Sequence, residues 1–304
     1  MLHISSRLAF VLVPFFAFAL FFLSEDRSTA ATIRIMPLGD SITAGYTDNP
    51  TWNVPFGFGY RSGLYQRLTN ANYDFQFVGA SGEPWNGVFG VPKKVTGPDL
   101  RTLGQDKHRG YGGWGIQGIS DNISSWLAAD NPDVILLMIG INDIPQGGTG
   151  NPTTAETKLD SLVGTIVTRK PNAHLIVAQI IPYAASTEQI VNYNKYIKNT
   201  LVPKYAKLRK NVTTVDQYSN FLTTGGAIDP TLYSNGINHP NATAYDRMAQ
   251  TWFTGIQAVV PEPSSIHLLA WGALAIAVFC VLSIWKYRVG RTRLQRTDDR
   301  PSND

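Results

Sequence analysis

Cysteine is almost missing from this 304-residue chain, and its single Cys280 rules out an intramolecular disulfide. The five histidines do not gather with cysteine into zinc-ligand spacing, which argues against a zinc mechanism. Charge is sparse too, at 16% of residues. The formal +4 and basic pI invite a nucleic-acid reading. Residues 32–260 alone, however, carry 18 Lys/Arg against 16 Asp/Glu, a balance near +2 with no basic cluster. Much of the excess lies in residues 286–304, with six Lys/Arg against three Asp. A nucleic-acid surface would need basic residues grouped on the folded body, so no nucleic-acid partner is expected. No internal repeat is visible. The body must be held by apolar burial, which a segment of this length can supply as one α/β domain.

Both ends carry long hydrophobic runs. Residues 1–31 start with Arg7, continue through an apolar stretch from Leu8 to Leu23, and finish at Ser28-Thr29-Ala30-Ala31. Charged start, apolar middle and small residues at the end predict a secretory signal peptide. A second apolar run, Ile266 to Trp285, is about long enough to cross ~30 Å of hydrocarbon. Lys286, Arg288, Arg291, Arg293 and Arg296 follow it, so residues 286–304 are expected as a basic cytoplasmic tail and the body outside the cytoplasm. Val260-Pro261-Glu262-Pro263-Ser264 stands just ahead of that run. Proline-flanked acidic motif, apolar helix and basic tail together resemble a PEP-CTERM sorting signal. The resemblance implies a temporary single-pass anchor, processed by an exosortase-type enzyme, with release to the surface or outside. An ordinary tail anchor is the alternative.

Between these ends apolar runs alternate with helical periodicity. Strands are predicted at Thr32–Leu38, Tyr73–Val78, Asp133–Met138, Ala173–Ile181 and Val212–Val215. Helices are predicted at Gly63–Leu68, Gln117–Ala129, Thr154–Arg169, Gln189–Leu208 and Ala242–Val259, with Pro203 expected to kink or split the fourth. Residues 79–115 are rich in Gly, Pro and Trp and read as a long loop region. Continuous apolar strands separated by helices predict a five-stranded parallel sheet covered on both faces. In such a sheet ligands sit beyond the carboxyl ends of the strands. Ser41 and Asn142 both follow predicted strands, and His239 lies just before the last helix.

Four segments carry the chemistry: Gly39-Asp40-Ser41-Ile42-Thr43, Gly112-Gly113-Trp114, Gly140-Ile141-Asn142-Asp143 and Asn238-His239-Pro240. They offer a hydroxyl, a backbone N–H, a side-chain amide and an imidazole, the parts acyl transfer needs. Each residue taken singly also has an ordinary use, as a helix cap, a turn or a surface loop. In this order the segments resemble the SGNH (GDSL-type) hydrolases. With Ile35-Met36-Pro37-Leu38, Gly59-Tyr60-Arg61, Pro132–Leu137 and the Ala242–Trp252 helix, the likeness is to their acetylxylan-esterase-like branch. It implies a flavodoxin-like three-layer fold, Ser41 as nucleophile and His239 as general base. The same resemblance implies an oxyanion hole of the Ser41 N–H, the Gly113 N–H and the Asn142 amide. Gly113 is preferred because family members place the donor glycine directly before the Trp. No cofactor or metal is implied.

One position departs from that pattern. The family usually carries Asp three residues before its histidine, where this chain has Gly236. Three alternatives stay open. Asn235 or a backbone carbonyl orients His239, Asp229 returns to the ring, or hydrolysis is lost and a pocket kept. Asn235-Gly236 is also a sequence prone to deamidation. Asp40 and Asp143 are expected to brace the two loops. The function expected is a secreted serine ester hydrolase removing acetyl or other short acyl groups from carbohydrate, with Trp52, Phe58, Trp85 and Trp114 available either for stacking on sugars or for packing. The alternatives are a lipase- or thioesterase-type enzyme, or a catalytically silent carbohydrate-binding surface protein.

Overall fold

A computed structural model of the protein describes residues 31–47, 58–83, 99–144, 152–184 and 188–261. The signal-peptide segment up to residue 30, the PEP motif beyond Pro261, the apolar run 266–285, the basic tail, Trp52 and Trp85 lie outside the described residues. Among the described residues no helix is long and apolar enough to cross a membrane.

The chain opens with β1 (Ile33–Gly39), then a one-turn helix α1 (Ser41–Ala44), α2 (Tyr60–Asn70), β2 (Phe75–Phe77) and a two-residue β3 (Arg109–Gly110). It continues through α3 (Ile116–Asp130), β4 (Val134–Met138), α4 (Pro152–Arg169), β5 (His174–Gln179), α5 (Glu188–Tyr196), α6 (Val202–Lys207), β6 (Val212–Asp216) and α7 (Ala242–Val259). The strand pairings within the described sheet are all parallel, in the order β2-β1-β4-β5-β6, with β3 added beside the end of β1 at Leu38↔Arg109 and Gly39↔Gly110. Apart from β3, this is the flavodoxin-like doubly wound order, whose direction of propagation reverses between β1 and β4. Such a reversal opens a crevice at the strand ends, where Ser41 and Asn142 follow their strands.

Burial explains the elements. Every residue of β4, Val-Ile-Leu-Leu-Met, is buried, because helices cover both faces of a parallel sheet. Helices α2 and α7 pack on each other, while α3, α4 and α5 form a second contiguous group. On α3 the residues Ile116, Ile119, Ile123, Trp126 and Leu127 recur at three- and four-residue spacing and are all buried. Each such side chain contributes about 1.5–3 kcal/mol relative to exposure. The last helix buries Tyr245, Met248, Trp252 and Ile256, and its N-cap Asn241 accepts from the Ala244 N–H at 3.1 Å. That cap fixes where the helix starts, and so where His239 stands two residues earlier.

One local expectation is met and one changes. The fourth predicted helix is split near Pro203, since a π-helical turn, Ile197–Leu201, separates α5 from α6 and Pro203 falls in the first turn of α6, where a missing N–H costs least. Residues 79–115 are not wholly loop, since Arg109–Gly110 pairs with β1. Two residues are too short for any periodic signal.

Candidate active site

Ser41 opens a single helical turn. Asp40 caps it, accepting from the Ile42 N–H at 2.9 Å, and Gly45 closes it with φ +96°, a left-handed conformation. The Ser41 side chain is buried apart from 5% of its surface, and its Oγ lies 2.8 Å from His239 Nε2. Two ties hold the His239 loop against the segment after Ser41. Tyr245 on α7 donates its hydroxyl to the Tyr46 carbonyl at 2.6 Å, and Ser234 donates to the Thr47 carbonyl at 2.5 Å. The Tyr46 ring also stands 6.0 Å from the imidazole.

The glycine loop is seated on the same turn. Tyr111 N–H donates to the Gly39 carbonyl at 3.2 Å, and Gly110 packs so closely on α1 that a Cβ there would lie 2.5 Å from Ala44 N. Asn142 joins from the β4 side. Its side-chain amide donates one N–H to the Trp114 carbonyl at 2.9 Å, which orients the second N–H away from that bond. Gly113, exposed and at φ +74°, precedes Trp114 in that loop. Asp143 accepts from the Ile116 N–H at 2.8 Å, giving α3 the cap that Gly115 has no side chain to supply. Asp40 and Asp143 therefore each hold a loop end by a hydrogen bond.

Asp40 is fully enclosed, and its carboxyl is pushed up to about 7, chiefly by burial. The Ile42 N–H and the charge of His239 act against that rise, and Asp143 adds to it. The folded protein thus keeps this proton up to about pH 7, whereas a free carboxyl releases it near 3.8. Over that window the native state binds more protons than the unfolded chain, so stability falls as pH rises from about 4 to 7. Asp40→Asn keeps an oxygen acceptor for Ile42 and cannot titrate. Urea unfolding at pH 5 and pH 8 should show wild type losing on the order of 1–4 kcal/mol relative to the variant. Parallel profiles would exclude Asp40 as the titrating group.

Asn235 reaches the ring, and its orientation is informative. Its Oδ1 accepts from the backbone N–H groups of Ile237, Asn238 and His239 at 2.9, 3.0 and 3.0 Å. Its Nδ2 therefore faces His239 Nδ1, at 3.3 Å. An amide N–H offered there asks Nδ1 to accept and so favours the ring proton on Nε2, beside Ser41. Asp229 is not brought to the ring. Its exposed carboxylate caps a short 3₁₀ turn at Pro230–Leu232, accepting from Thr231 N and Oγ1 at 3.0 and 2.5 Å. The local Asp-Pro-Thr sequence captures it before any longer return can form.

Sequence reasoning missed the supports behind the glycine loop. Glu83 accepts from Gly112 N–H at 2.5 Å and from the Tyr46 hydroxyl at 3.0 Å. His108 is fully buried, and burial followed by the Arg61 charge pushes its pKa well down, so it is neutral. Its Nδ1 accepts from the Gly110 N–H at 2.9 Å, leaving Nε2–H to donate to the Glu83 carbonyl at 2.7 Å. Arg61 is buried as well and donates to the Ala44 and Asp106 carbonyls. No spacing in the sequence marks Glu83 or His108, since each meets the loop through tertiary contacts.

Stacking on sugars and packing are both open to the aromatics by sequence, and Phe58 and Trp114 are seen packed. Phe58 is fully buried and belongs to the core. Trp114 is stacked on Tyr111 at 4.4 Å, and Tyr111 in turn on Trp126 at 5.2 Å, with the Arg109 guanidinium 4.8 Å over the Trp126 ring. Arg109 is paired to Asp130 by two hydrogen bonds, at 2.7 and 3.1 Å. Trp114 is thus a packing residue that anchors the glycine loop.

The model of the GDSL-like Lipase/Acylhydrolase family matches residues 38–247. A multidomain esterase of Ruminococcus flavefaciens is 29% identical over 252 residues, 76% of this chain, which spans only 29% of that relative's length. The structure of a Clostridium thermocellum family 3 carbohydrate esterase is 32% identical with a TM-score of 0.55, covering 73% of this chain and 94% of that one. A family 3 carbohydrate esterase from Talaromyces cellulolyticus shares the fold at 21% identity and TM-score 0.55, over 75% of this chain and 98% of that one. With the Ser41–His239 contact at the sheet's switch point, these matches show that the chain belongs to the GDSL-like Lipase/Acylhydrolase family of ester hydrolases.

Proposed function

We propose that this protein is a serine ester hydrolase that removes acetyl or other short acyl groups from carbohydrate. The observation that carries the reading is the 2.8 Å contact between Ser41 Oγ and His239 Nε2, within reach of proton transfer. Ser41 Oγ attacks the ester carbonyl and passes its proton to Nε2. The oxyanion is received by the Ser41 and Gly113 N–H groups and the free N–H of Asn142. Nε2 then returns the proton to the leaving alcohol, and water drawn by the same nitrogen clears the acyl-enzyme. The carbohydrate part of the reading draws support from the named activity of the Clostridium thermocellum esterase. We also place the body outside the cytoplasm, held by residues 266–285 until an exosortase-type enzyme acts at Pro261-Glu262-Pro263; this draws support from the sequence pattern alone.

The test combines turnover with trapping. The purified full chain should hydrolyse 4-nitrophenyl acetate and lose that activity to a fluorophosphonate, with the adduct on the peptide that contains Ser41. Reaction elsewhere in the chain, or trapping without loss of turnover, would exclude Ser41 as the nucleophile. A silent binding protein on the same fold is a second reading, favoured by the amide that Asn235 presents to His239 Nδ1.

A further inference from the structure

We propose that Asn235-Gly236 is a self-processing site, and that deamidation of Asn235 to aspartate switches His239 into its working tautomer. The inference rests on the hydrolase reading of Ser41 and His239. As a base, His239 must offer an unprotonated Nε2 to Ser41, so its proton must sit on Nδ1. The amide faces Nδ1 with its donor end. It cannot turn over without losing three backbone hydrogen bonds at Oδ1, from Ile237, Asn238 and His239. Flipping the amide would set its NH2 against three N–H donors. Offered to Nδ1 at 3.3 Å, the donor end of the unmodified amide favours the wrong ring tautomer.

Deamidation exchanges Nδ2, which faces the ring and also donates to Asn238 Oδ1 at 3.2 Å, so the Asn238 amide must turn to offer its own N–H to the new oxygen. The Gly236 backbone nitrogen attacks Asn235 Cγ, giving up its proton, and the Nδ2 group leaves as ammonia. Water then adds at Cγ of the cyclic imide and breaks the new Cγ–N bond, returning the proton to the Gly236 nitrogen, so that the main-chain bond stays intact and a carboxylate is left. The oxygen that replaces Nδ2 lies where it accepts from Nδ1–H, while Oδ1 keeps its three donors. Opening at the main-chain carbonyl instead gives isoaspartate, which lengthens the backbone and is expected to be inactive.

The local structure suits the reaction. Negative charge developing on Oδ1 during the attack falls on the three N–H groups already aimed at it, an oxyanion hole turned on the chain itself. Gly236 adds no side chain to block the approach, and a Cβ built there would meet nothing within 4 Å. Its N–H donates to no acceptor among the described residues.

The experiment follows the freshly purified full chain as it is aged at mildly alkaline pH, by peptide mapping, by turnover of 4-nitrophenyl acetate, and by nitrogen-15 NMR of the imidazole. The Asn235 peptide should acquire the mass of an acid in place of an amide, and turnover should rise with its aspartate fraction. Asn235→Asp should be active at once, roughly 10²–10⁴-fold above fresh wild type, since a neutral amide in this place costs up to about 10⁴. Asn235→Gln should stay slow and gain nothing on ageing. The ring proton should sit on Nε2 in fresh wild type and on Nδ1 in Asn235→Asp. An Asn235 that survives ageing intact, or an Asn235→Asp no faster than fresh wild type, overturns the proposal. If Ser41 is still trapped in that second case, the hydrolase reading stands without it. A ring proton that moves as expected, in chains that neither turn over nor trap at Ser41, would instead sink the hydrolase reading and keep the tautomer assignment.

Discussion

Ser41→Ala is expected to cost very different amounts in two backgrounds. A complete serine triad is worth about 2 × 10⁶ in kcat over its removal. An amide where the acid belongs forfeits about 10⁴ of that. In freshly purified wild type, where Asn235 keeps its Nδ2 against His239, Ser41→Ala should therefore lower kcat only about 10²-fold. In the Asn235→Asp background the same substitution should cost about 10⁶-fold. His239→Ala should match Ser41→Ala in each background, and the double variant should be no worse, because the proposed mechanism joins the two residues in one unit through the 2.8 Å contact. Steady-state kinetics on an activated acetyl ester read all of these. Equal losses in the two backgrounds would separate Asn235 from the catalytic unit.

The second large effect is on folding. Gly39→Ala should leave little soluble protein, with a loss on the order of 4 kcal/mol or more. A Cβ at Gly39 would fall inside contact distance of the Met138 carbonyl oxygen and 2.6 Å from Thr43 Oγ1. Neither obstacle can yield cheaply. Met138 is the last residue of β4, paired in register with Gly39, and Thr43 belongs to the turn that Ser41 opens. The strand end, the neighbouring strand and the nucleophile turn meet where only a hydrogen fits. Gly113→Ala is the contrast, since a Cβ there meets nothing within 4 Å and only its φ of +74° resists. That strain costs about 1–3 kcal/mol. Gly113→Ala should stay soluble with a modestly lower melting temperature. Comparable soluble yields of the two variants would refute the packing argument at Gly39.

Elements built from one stretch of chain were the readable ones. Val134–Met138 is a run of five apolar residues with no polar face, so only a strand buried on both sides accommodates it. Helix α3 was readable for the same reason, since its apolar spacing is a property of the helix itself. Elements that depend on a neighbour were not. The pair Arg109–Gly110 becomes a strand only because β1 ends beside it, and the π turn before Pro203 forms between helices already packed.

The site divides along the same line. The sequence by itself determined that Ser41, Gly113, Asn142 and His239, the groups proposed for acyl transfer, each stand at a strand or helix end. It also determined that Asn235 stands near His239, since a turn of a few residues cannot carry them far apart. Tertiary structure alone decided that Ser41 meets His239 across 198 positions of chain. It also turned Asp229 onto Thr231 and buried Phe58, and it braced the glycine loop with Glu83 and Tyr46. Above all it decided which end of the Asn235 amide faces the imidazole. The three N–H donors that settle this point inward only once the loop has closed, and a hydrogen bond's direction exists only in three dimensions.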